Sequence, residues 1–139
     1  MALDDTSLDD VRDTFAFLDD WEERYKFIID LGRKLDPLPD SDMVDANKVR
    51  GCQSQVWLVP EKDAEGHIHL RGDSDAHIVK GLVALMLLTF SGKTGREIVE
   101  TDAEGLMAEL GLRDHLSPMR ANGLYAMLER IREIGRMAA

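Results

Sequence analysis

The stretch from Ile78 to Phe90 constrains the fold more than any other part of the chain. Ile78, Val79, Leu82, Val83, Met86 and Phe90 recur at helical spacing, and Ser91-Gly92 ends the pattern. Its uninterrupted apolar run, Leu82 to Leu88, is seven residues long. A bilayer needs roughly 20, so this segment does not span a membrane. It is too apolar for a surface and reads as the central helix of a folded domain, against which the other elements pack. Asp73 and Asp75, just before it, are expected to cap it.

The flanking sequence supplies those elements. Leu8, Val11, Phe15 and Leu18 keep helical spacing behind Ser7, with Asp10 three residues on as a capping-box partner. A second helix is expected to start near Asp20, with Glu23 in its first turn and the stripe Trp21, Tyr25, Ile28, Leu31 and Leu35. It stops before Pro37, and Asp36-Pro37-Leu38-Pro39-Asp40 reads as an extended loop. The period then changes. Gln55-Val56-Trp57-Leu58-Val59 is β-branched and aromatic, Lys62 to Gly66 makes a turn, and His67 to Arg71 alternates. Together they predict an antiparallel hairpin with Ile68 and Leu70 inward. Asn47–Arg50 is read as a third strand. Beyond the central helix, Thr94-x-x-Glu97 and Thr101-x-x-Glu104 predict two short helices with capping boxes. Ser117-Pro118 opens a last helix lined by Leu124, Leu128, Ile131 and Ile134. Gly123 inside it costs about 1 kcal/mol relative to alanine. The fold class is α+β, one domain over 1–139, with helices packed around a small antiparallel sheet.

With 44% apolar and 32% charged residues in 139, the chain can bury a core without staples. Its acidic start, Met1-Ala2-Leu3-Asp4-Asp5, does not read as a signal peptide. One cysteine cannot form an internal disulfide, and a reduced cytoplasmic setting is expected. The formal net charge is −10, with 14 acidic against 5 basic side chains in residues 1–45. An acidic chain without a basic stripe argues against nucleic-acid binding. The acidic half and mildly basic tail would suit a charged protein partner, or a solvated surface.

Cys52 lies between Gly51 and Gln53-Ser54, just before the first strand. The glycine permits a tight bend that places the sulfur at a loop tip, where a thiolate can attack a sulfur atom held by another protein. Strand parity puts Cys52 on the face of Val56 and Leu58, and free cysteines are usually buried packing groups. On local residues alone both a reactive and a structural thiol stand open, and the second leaves a protein-interaction adaptor.

Three motifs bear on that choice. Gly51-Cys52-Gln53-Ser54-Gln55-Val56-Trp57 resembles the cysteine loop of the SufE family of sulfur-acceptor proteins. Gly72-Asp73-Ser74-Asp75-Ala76-His77-Ile78-Val79-Lys80-Gly81 resembles its second motif, and His115 to Leu124 its third. Trp21-Glu22-Glu23-Arg24-Tyr25 and Ile29-Asp30-Leu31-Gly32 match as well, and the order is kept across most of the chain. The resemblance implies a persulfide carrier. It would accept sulfur on Cys52 from a pyridoxal-phosphate cysteine desulfurase, stimulate that enzyme, and pass the sulfur to an iron–sulfur scaffold. The cofactor belongs to the partner. The resemblance also implies a cysteine loop that tucks into an apolar pocket and swings out on docking. Gly51, Gln53, Ser54, Asp75 and Arg120 are the residues it implies for positioning the loop or the partner. Met119 and His77 depart from the family pattern. SufE-type and CsdE-type relatives share these motifs.

Other constellations are thinner. His67 and His69 could ligate zinc with Cys52, but Ile68 and Leu70 claim the core face, so no metal site is expected. A thiol hydrolase would need Cys52 with His77 or His115 and an aspartate, assembled in space.

Overall fold

The computed structural model describes Leu3, residues 6–52 and residues 54–138. Of the N-terminal segment read as leaderless, only Leu3 falls within that set, and Gln53 lies outside it. Helix α1, Leu8–Phe17, carries the expected capping box, with Ser7 and Asp10 each satisfying the other's amide. Helix α2, Trp21–Gly32, is capped by the Asp20 side chain, which accepts from the Glu23 amide. The chain then runs extended through Asp36–Pro39 to two short 3₁₀ turns, Asp40–Asp42 and Asp45–Asn47.

Strands β1 (Val56–Lys62) and β2 (His67–Ser74) form the antiparallel hairpin, in a register that pairs Val56 with Ser74 and Lys62 with Ile68. Ile68 and Leu70 are buried as expected. The third strand differs from the expectation. Asn47–Arg50 contributes only an isolated bridge, Lys48 to Trp57, because the 3₁₀ turn uses its backbone. The true β3 is Lys93–Thr94, on the other edge of β2. Order β1-β2-β3 leaves β1 at an edge, where Pro60 costs no ladder bond inside the sheet.

Helix α3, His77–Phe90, is buried along nearly its whole length and packs on α2, on β2 and on the final helix. Its N-cap is Ala76, without a side-chain cap. The expectation that Asp73 and Asp75 cap it is therefore corrected. Asp73 accepts from the Ser74 amide and faces Lys80, and Asp75 turns to the cysteine loop. The α2–α3 crossing is close because glycines face it. A Cβ on Gly81 would stand 2.1 Å from the Ile28 carbonyl oxygen, and one on Gly32 would stand 2.6 Å from the Gly81 nitrogen.

Helix α4, Gly95–Glu100, has the capping box foreseen at Thr94 and Glu97. Helix α5, Ala103–Glu109, starts one residue later than foreseen: Asp102 caps it through the Gly105 amide, and Glu104 pairs with Arg132. A one-turn helix α6, Leu112–His115, follows Gly111 in the left-handed region and is too short to show a helical period in the sequence. Helix α7, Pro118–Ala138, is continuous through Asn122-Gly123, with the Ser117 hydroxyl accepting from the Arg120 amide. The result is one α+β domain of helices around a three-stranded antiparallel sheet. No helix among the described residues is long and apolar enough to cross a membrane.

Candidate functional site

Gly51, Cys52 and Ser54 cross between α7 and the start of β1. Gly51 has φ +90°, a conformation that L side chains rarely adopt, and a Cβ there would stand 3.3 Å from the Ala126 methyl. The loop thus needs glycine both for its bend and for its approach to α7. On its far side it is tied to the lead-in of α3. The Gln55 amide donates to Asp75 Oδ1 at 3.0 Å, and the Asp75 amide donates to the Gln55 carbonyl at 3.2 Å.

The bend turns Cys52 toward α7. Its thiol is half-buried and donates to the Gly123 carbonyl oxygen at 3.5 Å. A Cβ on Gly123 would lie 3.6 Å from Sγ, so the helix presents bare backbone to the sulfur. Sulfur and helix together border a cavity of about 400 Å³, lined by Val79 and Leu82 of α3, by Met119, Arg120 and Met127 of α7, and by Ser54 and Ser117. Arg120 is the charged residue of that lining.

Burial pushes the Cys52 thiol above its ordinary value near 9.0. The seated sulfur is therefore a neutral thiol at neutral pH.

Cys52, Ser54 and Arg120 thus meet at one cavity, with Gly51 shaping the loop and Asp75 tying its exit. Val79 and Leu82 were read only as core of the central helix and Met127 was not singled out, because helical period cannot separate a cavity wall from ordinary core. Gly123 carried a signal, a glycine in mid-helix with no turn to justify it. The histidines are elsewhere. His115 stacks on Trp21 with ring centroids 4.0 Å apart, and its ring bonds the Gly111 carbonyl at 2.9 Å. Tyr25 donates to its main-chain oxygen. His77 is exposed at the start of α3. His67 and His69 flank Asp63 at the hairpin turn, roughly 20 Å of strand from Cys52. Among the described residues, no histidine lines the cavity at the thiol.

The fold and site define a small α+β domain built to seat one thiol between two helices. The family model described as "SufE: Fe-S metabolism associated domain" matches residues 9–134. A SufE-like protein of Rhizobium meliloti (strain 1021) is 51% identical over 130 residues, covering 91% of this chain and 93% of that protein. Another, of Rhizobium etli, is 49% identical over 136 residues, with 96% and 92% covered. The solution structure of a hypothetical protein from Thermus thermophilus superposes with a TM-score of 0.72 at 24% identity, covering 91% and 90%, and supports the fold. The chain belongs to the SufE family, whose domain is associated with iron–sulfur metabolism.

Proposed function

We propose that the chain is a cytoplasmic persulfide carrier that takes sulfur on Cys52 from a pyridoxal-phosphate cysteine desulfurase, stimulates that enzyme, and delivers the sulfur for iron–sulfur cluster assembly. The observation that carries this reading is the seating of the only cysteine on a positive-φ glycine loop over a largely apolar cavity. In the transfer, the Cys52 thiolate attacks the terminal sulfur of the persulfide on the desulfurase cysteine. A new S–S bond forms at Cys52, the donor S–S bond breaks, and the electron pair leaves with the donor thiolate. No external oxidant or reductant is consumed. The pyridoxal phosphate stays with the desulfurase. With no second cysteine in the chain, a loaded Cys52 has no internal thiol to release its cargo as a disulfide, so the sulfur waits for an outside acceptor.

In this reading each neighbour has a task. Gly51 allows the bend, Ser54 lines the cavity, Gln53 is assigned to loop or partner positioning, Asp75 holds the loop's exit, and Arg120 favours the anionic form of a bound persulfide. The test is intact mass after incubation with cysteine and a desulfurase, with Cys52→Ser alongside. Added sulfur on the wild type alone, removed by a reducing agent, is expected. No added sulfur with any desulfurase tried would overturn the carrier reading and leave an adaptor with a packing thiol.

A further inference from the structure

A second group of chemistry-bearing side chains gathers at the tip of the hairpin, away from the sulfur. Strand parity turns His67 and His69 to one face of β2, opposite the buried Ile68 and Leu70. The turn between the strands brings Asp63 within reach of both rings. Its backbone is closed by the Asp63 amide on the His67 carbonyl at 2.9 Å and by the Gly66 amide on the Asp63 carbonyl at 3.1 Å. Asp63 Oδ1 accepts from the Glu65 amide at 3.0 Å and from the His67 amide at 2.9 Å, which fixes the carboxylate. His69 Nε2 lies 2.9 Å from Asp63 Oδ2, and His67 Nδ1 lies 3.6 Å from Oδ1. Ligand atoms of Asp63, Glu65 and His67 all lie within 4.8 Å of one another.

The amide bonds to Oδ1 already hold the turn, so two imidazoles and a second carboxylate are not needed to close it. Among the described residues no lysine or arginine pairs with Asp63 or Glu65, whereas Arg71 on the same face is satisfied by Asp42 and Glu61. Two carboxylates with two neutral imidazoles leave a charge that a divalent cation neutralises. We propose that Asp63, Glu65, His67 and His69 form a site for a divalent transition-metal ion of the zinc class. Mixed nitrogen and carboxylate donors suit such an ion, while calcium and magnesium take oxygen ligands. Bonds of about 2.0–2.2 Å set neighbouring ligand atoms about 3.4 Å apart in a tetrahedron. The two Asp63–histidine separations, 2.9 and 3.6 Å, bracket that spacing. Glu65 is exposed and closes the set by side-chain rotation. The amides on Oδ1 then orient the ligating carboxylate from behind. The His-x-His pattern finds its further ligands in the turn and not in Cys52, the partner considered from sequence. The site sits at the opposite end of the hairpin from Cys52, pins the turn, and stands independently of the carrier reading.

The test is calorimetric titration of zinc chloride into the wild type, His67→Ala, His69→Ala, His77→Ala and Cys52→Ser, each first shown to be folded by its thermal melt. His77 is an exposed histidine on α3 and controls for surface imidazole. One zinc per chain is expected, with Cys52→Ser and His77→Ala within about twofold of wild type and both His67→Ala and His69→Ala weaker by roughly tenfold or more. An excess of magnesium should not displace the zinc, and zinc should raise the Tm of the wild type more than that of His69→Ala. In nitrogen-detected NMR the ring signals of His67 and His69 should shift on zinc addition while those of His77 and His115 stay in place. Wild-type affinity in either His67→Ala or His69→Ala would overturn the assignment. So would loss of binding in Cys52→Ser, or a wild-type Kd weaker than about 1 mM.

Discussion

Asp75→Ala should free the cysteine loop without unfolding the protein. The substitution removes the Oδ1 acceptor of the Gln55 amide, at 3.0 Å, and keeps the reciprocal main-chain bond at 3.2 Å. A hydrogen bond to a charged acceptor contributes about 1.5–3 kcal/mol. Asp75 is exposed, which places this one at or below the lower end, near ~1 kcal/mol. Loop opening becomes easier by that amount, so the open population rises about fivefold. The assay is iodoacetamide modification read by intact mass, and with one cysteine in the chain every adduct reports Cys52. The variant should react about fivefold faster than wild type, with Asp75→Asn in between and a Tm shift of only a few degrees. An unchanged rate in a folded Asp75→Ala would refute the reasoning, because the loop would then be held by its glycine bend and cavity contacts alone.

Further outcomes follow from the packing and the charges. Gly81→Ala places a Cβ 2.1 Å from a backbone oxygen of α2 and should cost about 3 kcal/mol in urea unfolding, whereas a loss under about 1 kcal/mol would mean that the helices separate freely. Gly123→Ala meets Sγ at an ordinary 3.6 Å, so it should stabilise α7 by up to about 1 kcal/mol and slow alkylation of Cys52; a destabilised variant would contradict the contact. The Asp63 carboxyl is lowered to about 2, first by the His69 hydrogen bond and then by the His67 and Glu65 amides. Its stabilising contribution is present above the ordinary carboxylate range and lost as pH falls toward 2. His69→Ala should raise that value in a carbon-detected NMR titration, and no change would deny the bond.

The helices were readable where one physical signal dominated. Periodicity defined α1, α2, α3 and α7, and reciprocal caps marked Ser7 and Thr94. Reading failed where two local solutions compete at similar cost. Thr101 and Asp102 are both good caps, and the structure chose Asp102, freeing Glu104 to meet Arg132. Lys93–Thr94 is too short to show a strand period and exists because the end of α3 delivers it to β2. At the site, the motif order drew attention to Cys52, Asp75 and Arg120, which are far apart in the chain. The resemblance implied that Asp75 positions the loop; what stayed hidden is that it leaves the helix uncapped in doing so, because an aspartate before a helix looks the same in sequence whichever amide it accepts from.

The bond from Cys52 Sγ to the Gly123 oxygen has one further consequence. In a thiol that sulfur carries the hydrogen it donates. In a persulfide the inner sulfur is bonded to carbon and to the outer sulfur, and it has no hydrogen to give. In the proposed carrier, loading therefore erases the one hydrogen bond that the seated sulfur makes among the described residues. The helix carbonyl is then left facing a sulfur that can only accept. Empty and loaded proteins thus differ at the tether itself, and a recipient could tell them apart by how readily the loop lets go.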